Sequence, residues 1–466
     1  MTTAVQNGNG RVTAAPPDAA ENPLHRLTPE QIEAIGREFD ELHEQVKADL
    51  GDRDATYIRS MIAFQRKLAL IGRAELIASR WRVPWLLGAS TLGLAKILEN
   101  MEIGHNVMHG QWDWMNDPVI NSRAWDWDTA STAEAWRHSH NFIHHTYTNI
   151  VGKDRDLGYE IMRIDPGQSW HPIYLLQPIY NLILASLFEW GVALHDLNFE
   201  AIRKGEKDPK LLRKELKGIA GKARAQIVKD YIAWPVISGL VMTAIEAGVI
   251  AAKDRDESRA QGLGRKARRA ARKATRRAGG SRLGVSRFAG DSLISQLIDR
   301  RSFREPFMRT LTADVAANLI RNVWSYAIIF CGHFPDQTYT FTQEETDDES
   351  RGGWYVRQLL GAANIDGGPL FHVISGNLGY QVEHHLFPDM PSTRYGEIAP
   401  KVREICERYE LPYNSGPFHQ QLGMVQRTIL RLAFPGGKAR PKPGPYQGPL
   451  VRGSGEHEDS GLQQAA

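Results

Sequence analysis

Three short stretches hold most of the residues able to do chemistry in this chain of 466 residues. They are His105-Asn-Val-Met-His109, His140-Asn-Phe-Ile-His144-His145 and Gln381-Val-Glu-His384-His385. Their sixteen positions contain seven of the sixteen histidines, where an even scatter would leave about half a histidine. On a helix, residues four apart share a face, so His105/His109 and His140/His144 each form a two-toothed imidazole clamp. His145 is rotated by roughly 100° from His144 and reaches a second ion or another side of the same one. Gln381, His384 and His385 add three tips at i, i+3 and i+4. Imidazole suits Fe, Zn, Cu or Ni, whereas Mg and Ca want oxygen. Seven rings exceed the need of one four- or five-coordinate ion, so two metals is the economical count.

A single i,i+4 histidine pair is often incidental. Three clusters, each following an apolar segment or its connection, are hard to explain as packing, because histidine is a poor core filler and costly beside a bilayer. A zinc protease is excluded: Asn106 and Asn141 stand where its general-base Glu belongs. His333, closing the apolar run 313–332, is either a helix-terminal residue or an eighth ligand. Of the rest, His25, His43, His419 and His457 read as solvent-exposed, and His138, His171, His195 and His372 as ordinary interfacial or core residues.

The elements that must position these rings are helical and apolar. Thr28 caps a helix opening with Pro29, and Gln31 completes a capping box; Ile32, Ile35, Phe39, Leu42 and Val46 follow at helical spacing. From about residue 66 the chain turns apolar (KLALIGRAELIA, then VPWLLGASTLGLAKILENMEIG), interrupted by Arg73, Glu75, Lys96 and Glu99. Residues 166–188 carry no Asp, Glu, Lys or Arg, and further apolar runs occupy 231–252 and 313–332. Each is compatible with a helix crossing or entering a bilayer. The mean hydropathy of -0.40 hides these runs among charged segments.

The flanks are of another kind. Residues 1–24 are Gly/Ala/Pro/Asn-rich without the apolar core of a signal peptide and read as disordered, as does the Pro/Gly-rich tail 433–466. Residues 253–304 carry a net +11 in a chain whose total is +3, with eight basic residues and no acid in 265–277. Such a run suits nucleic acid or anionic headgroups, but a solvated basic loop or helix explains it equally simply. Gly262, Gly264 and Ala267 fit a dinucleotide pattern by accident, since no strand precedes them. Cys331 and Cys406 are the only cysteines, too few for a four-cysteine iron–sulfur cluster and indicative of a reducing compartment.

The combination H-x3-H, H-x3-H-H and Q-x2-H-H between apolar segments resembles the integral-membrane fatty-acyl desaturases, and within them the actinobacterial acyl-CoA desaturases related to stearoyl-CoA Δ9 desaturase. GHNVMHGQWDWMNDP (104–118), WRHSHNFIHHTYTNI (136–150), FCGHFPD (330–336) and SGNLGYQVEHHLFPDMPSTR (375–394) carry the likeness. It extends over about 25–430 apart from 253–304, which looks like an insertion in a desaturase domain spanning 25–432. The resemblance implies a non-haem di-iron centre, O2 as co-substrate, and electrons from NAD(P)H through a separate reductase or ferredoxin. No flavin, nicotinamide or fused-cytochrome segment is found in the chain. Its implied iron ligands are His105, His109, His140, His144, His145, His384 and His385, with Gln381 at the position of the third box's first histidine and His333 as an additional ligand. It further implies long-chain acyl-CoA as substrate and no specific nucleic-acid partner. Residues 253–304 suggest themselves as a dock for an acidic electron carrier.

Carboxylates that orient imidazole N–H groups are sought at Glu102, Asp154, Asp156 and Glu383, each equally readable as a solvated acid. Trp112, Trp114, Trp125, Trp127 and Trp136 suit an acyl tunnel or an interfacial belt. The expected fold is an all-α integral-membrane protein with about four transmembrane helices and a cytoplasmic helical cap, resident in the plasma membrane. All boxes must meet on one side, so 171–195 is expected in the interface while 231–252 and 313–332 cross. That places the basic segment outside, against the positive-inside tendency. A membrane di-iron hydroxylase of alkanes, sterols or carotenoids fits the same metal set, and a non-catalytic metal-binding or transport protein is the rival of another class.

Overall fold

The computed structural model describes residues 5–6, 12–13, 22–276 and 300–437. Among these the secondary structure is almost wholly helical, as the apolar periodicity requires. The strands are short: Val5–Gln6 pairs with Val12–Thr13, and Asn364–Asp366 runs parallel to Ser415–Pro417. His457, most of the expected disordered ends, and residues 277–299 of the basic segment lie outside the described residues. The chain divides into two compact units: the first comprises 1–67, 93–224 and 318–466, the second 68–92 and 225–317.

The first unit begins with helix Pro29–Ala48, whose start the sequence dictates: Thr28 Oγ1 accepts from the Gln31 amide while Gln31 Oε1 accepts from the Thr28 amide. Ile35, Phe39 and Leu42 bury its apolar stripe against Tyr355, Val356 and Leu359 of helix Arg351–Gly361. Where the helices cross, Gly36 faces Gly352, and a Cβ on Gly352 would lie 1.9 Å from the Ile32 carbonyl oxygen. Only glycine permits that approach. Residues 166–195 form no single long helix: a 3-10 turn Pro172–Leu176 leads to helix Gln177–Ser186, the chain bends at Leu187, and helix Phe188–His195 follows. Ile179, Leu182, Ile183 and Leu187 along it are exposed.

The second unit inverts the usual order of a water-soluble core. Its interior holds Arg73 between Asp230 and Asp314, all three buried, with Trp234 5.1 Å from the guanidinium and Ser79 bonded to Thr310. Its outside exposes Leu70, Leu86, Leu87, Leu240, Val249 and Ile250. Charge inside and apolar surface outside is the arrangement expected of segments surrounded by lipid. Among the described residues one helical stretch, Pro209–Lys253, is both long and apolar enough to cross a membrane by itself.

Arg394 locks the segment after the third histidine cluster to the first unit's N-terminal helices. Its Nε and Nη2 each donate to Asp54 at 2.7 Å, and Nη1 donates to Asp49 and Glu397. Both Arg394 and Asp54 are 2% exposed. Arg394→Leu strands the Asp54 carboxylate in the interior, so a loss of about 3–5 kcal/mol is expected. A thermal unfolding midpoint unchanged from the parent in detergent would contradict this.

Candidate metal centre

The histidine-bearing segments are not the plain α-helices that i,i+4 spacing suggests. Leu98–His105 and Arg137–His144 are π-helical, each followed by one α-turn, Asn106–Met108 and His145–Tyr147. The widened i→i+5 turn is typical of functional sites. It brings residues four apart nearly into register: the His140 and His144 rings stack at 5.1 Å and 23°. The third cluster lies on the buried helix Gln381–Leu386. It is fixed by Asn364, whose Oδ1 accepts from the Val382 amide while its Nδ2 donates to Glu383. A turn before it meets the first cluster's helix: Gly376 has φ +72, a Cβ there would lie 2.5 Å from the Met101 carbonyl oxygen, and Asn106 Nδ2 donates to the Gly376 carbonyl.

These elements bring all nine sequence-derived ligand candidates together. Donor atoms of His105, His109, His140 and His384 lie within 4.8 Å of one another, as do those of His144, His333 and His385. His145 stands between the groups, its ring 5.0 Å from His384 and 4.5 Å from His385. Gln381 Nε2 is 3.1 Å from His333 Nε2, and Gly332 makes room for the Gln381 side chain, which a Cβ would meet at 2.7 Å.

The decisive feature is how each ring is used. His144 Nδ1 meets Asp154 at 3.1 Å, His384 Nδ1 the Tyr395 hydroxyl at 3.2 Å, His385 Nδ1 the Gln358 Oε1 at 2.9 Å and His105 Nδ1 the Asn106 Oδ1 at 3.0 Å. On the opposite side, the Nε2 atoms of His109, His140, His144, His145, His384 and His385 are buried with no hydrogen-bonding partner among protein atoms, as is Gln381 Oε1. A ring whose N–H is held from behind presents a lone pair in front. Such an imidazole nitrogen set fits iron, as it would zinc, copper or nickel.

Of the four acids sought as orienting groups, Asp154 and Asp156 meet imidazoles. Glu102 instead accepts from Tyr57 and Asn377, and Glu383 from Tyr413 and Asn364. The orienting groups that sequence reasoning missed are Asn106, Gln358 and Tyr395, uncharged residues with no signal beyond the fold itself. His43 is partly buried, bonded to Asp389 and stacked on Phe387 rather than exposed. Of the four histidines read as interfacial or core, His138 and His171 are exposed and His195 and His372 are buried.

Trp136 stacks on His140 at 4.6 Å and 22°, and Trp127 lies 5.0 Å from Trp136. Both line a cleft of about 730 Å³, mouth included, that touches His105, His140, His333 and Gln381 and is walled by Met101, Phe188, Val192 and Ile329. Trp112 packs elsewhere, with Ile58, Ile103 and Val107.

The fatty acid desaturase family matches residues 80–251 and 267–417. The chain belongs to that family and is an oxidoreductase of lipid metabolism. It is 43% identical over 409 residues to the NADPH-dependent stearoyl-CoA 9-desaturase of Mycobacterium tuberculosis, covering 88% of this chain and 82% of the relative. It is 23% identical over 348 residues to the sn-1 linoleoyl-lipid 6-desaturase of Synechocystis, covering 71% and 76%. Human fatty acid desaturase 3 is 30% identical over 115 residues, covering 25% and 24%. No solved structure matches significantly.

Burial, and then the neighbouring imidazoles, hold the pKa values of His109, His145, His384 and His385 well below the usual histidine range. His144 runs the other way: burial opposes its charge, but Asp154 and Asp156 outweigh it and raise the pKa. A histidine with a depressed folded pKa binds its proton in the unfolded chain first, so its stabilising contribution is present above about pH 6.5 and is lost below it. The metal-free protein is therefore expected to hold its melting temperature at pH 7.5–8.5. Below about pH 6.5 it should lose up to about 1.4 kcal/mol per pH unit for each such ring. A flat profile down to pH 5.5 would contradict the burial of neutral rings.

Proposed function

We propose that this chain is an O2-dependent membrane desaturase that introduces a cis double bond, at Δ9, into long-chain saturated acyl-CoA. The observation that carries the reading is the convergence of buried, unpartnered imidazole Nε2 atoms in two groups beside a cleft walled by apolar side chains. The specificity follows the stearoyl-CoA 9-desaturase relative, whose likeness extends over most of both chains.

Two irons fit the donor set: His105, His109, His140 and His384 would hold one, and His144, His333 and His385 the other, with the His145 ring close to both groups and Gln381 beside His333. When bound, they supply the oxidising power by which RCH2CH2R′ + O2 + 2e− + 2H+ becomes RCH=CHR′ + 2H2O. What this chain does is positioning and exclusion. Asp154, Tyr395, Gln358 and Asn106 keep the ring lone pairs aimed inward. Met101, Trp127, Trp136, Phe188 and Ile329 form a wall along which methylene groups lie beside His105 and His140. Desaturation needs no acid–base dyad in this wall.

The electrons come from NAD(P)H through a separate reductase or ferredoxin. The membrane reading rests on the charged interior and apolar exterior of the second unit. About four crossings, with the histidines at the cytoplasmic face of the cell membrane and 25–432 as the desaturase domain, complete the proposal. The bent, apolar segment 166–195 then lies in the interface, as its short helices suit.

Gas chromatography of fatty acids from cells expressing the parent and His144→Ala tests the reading. A new monounsaturated acid is expected with the parent only, together with two irons per chain in the purified parent. Equal unsaturation in both cultures, or an alcohol as product, would overturn it.

A further inference from the structure

His195 closes helix Phe188–His195, far in sequence from every histidine cluster. Its Nε2 lies 2.9 Å from Asp156 Oδ1. The other oxygen of that carboxylate lies 3.5 Å from His140 Nδ1 and 3.7 Å from His144 Nδ1. His140 falls in one ligand group and His144 in the other, and the two also form a third close group with Asp156. One carboxylate thus stands behind a ring of each group, and one imidazole stands behind the carboxylate. Asp156 is not itself placed as a ligand, because it faces the Nδ1 edges while the unpartnered Nε2 atoms lie on the opposite edges.

The surroundings hold this arrangement from both ends. The chain after Asp156 turns through three consecutive left-handed residues, Gly158, Tyr159 and Glu160, with φ of 67, 53 and 59. Such strain at two non-glycine residues persists only where neighbours over-determine it. Here Tyr159 is sandwiched, its ring 5.1 Å from His195 and stacked on Phe330 at 5.5 Å and 9°. Arg155 donates to both Glu160 and the His195 carbonyl. The next residue, Asp196, accepts from Ser131 and from Ser139, the neighbour of His140.

We propose that His195 is a positioning residue for the metal pair: its Nε2–H fixes Asp156 so that the carboxylate orients His140 with its Nε2 lone pair presented and backs, from 3.7 Å, the His144 ring that Asp154 bonds. The inference rests on the di-iron reading and adds a residue outside its ligand set. Outer partners of metal-bound histidine typically alter metal retention about 10–100-fold when removed.

The test compares iron-loaded parent, His195→Leu and His195→Gln in detergent. It follows iron per chain, the rate of iron loss to ferrozine, and the Mössbauer spectrum. His195→Leu is expected to lose iron at least about tenfold faster with altered quadrupole doublets, while His195→Gln, which keeps an N–H donor, stays close to the parent. Asp156→Asn, which leaves His195 in place, is expected to behave like His195→Leu and serves where the leucine variant does not fold. Parent-like retention and spectrum in His195→Leu or in Asp156→Asn would overturn the inference alone, as would a glutamine variant no better than leucine. A parent protein that binds no iron would overturn the di-iron reading and the inference with it.

Discussion

The structure depends on one constraint: a set of imidazole nitrogens is buried where no protein group can satisfy them. Six Nε2 atoms are in this position. At about 1–3 kcal/mol for each unsatisfied buried polar atom, they cost roughly 6–18 kcal/mol. That is comparable to the entire stability of a typical fold, about 5–15 kcal/mol. Packing alone does not explain an arrangement so costly. A bound cation that accepts several lone pairs at once removes the cost, and the neutral rings spare it the desolvation that a cluster of carboxylates would bring.

Much of the first unit can be understood as the means of holding those rings. The π-helical turn Arg137–His144 stacks His140 on His144, and an α-turn carries His109 beside His105. Gly332, Gly352 and Gly376 allow approaches that any Cβ would block. Behind the His144, His384 and His385 rings stand acceptors that fix the tautomer, drawn from elements as distant in sequence as Asp154, Gln358 and Tyr395. The strained turn at Gly158–Glu160 and the end of helix Phe188–His195 belong to the same scaffold. In the second unit the demand is different: a single guanidinium satisfies two carboxylates inside, and aliphatic side chains face outward.

The histidine clusters, the capped helix at Thr28 and the helical class were legible in the sequence because each is a local pattern of residue type and spacing. Gln381 was legible from its spacing to His384 and His385, while His333 stood open between a helix-terminal residue and an eighth ligand until family likeness favoured the latter. The π-helical form of two clusters was hidden, because i,i+4 spacing reads as α-helix unless the packing around it is known. Asn106, Gln358 and Tyr395 were hidden because an uncharged acceptor carries no signal until the fold brings it to a ring. His195 was read as an ordinary interfacial or core residue for the same reason; His138, read alike, lies at the surface. The number of crossings was the hardest to read, because buried partners such as Asp230 and Asp314 make a charge in an apolar run tolerable, and these lie far along the chain from Arg73.

Iron K-edge X-ray absorption of the purified, iron-loaded protein tests the central claim most directly. The account predicts a first shell dominated by nitrogen, with the outer-shell scattering of several imidazole rings on each iron and no sulfur. A shell dominated by carboxylate oxygen, or containing sulfur, would contradict it.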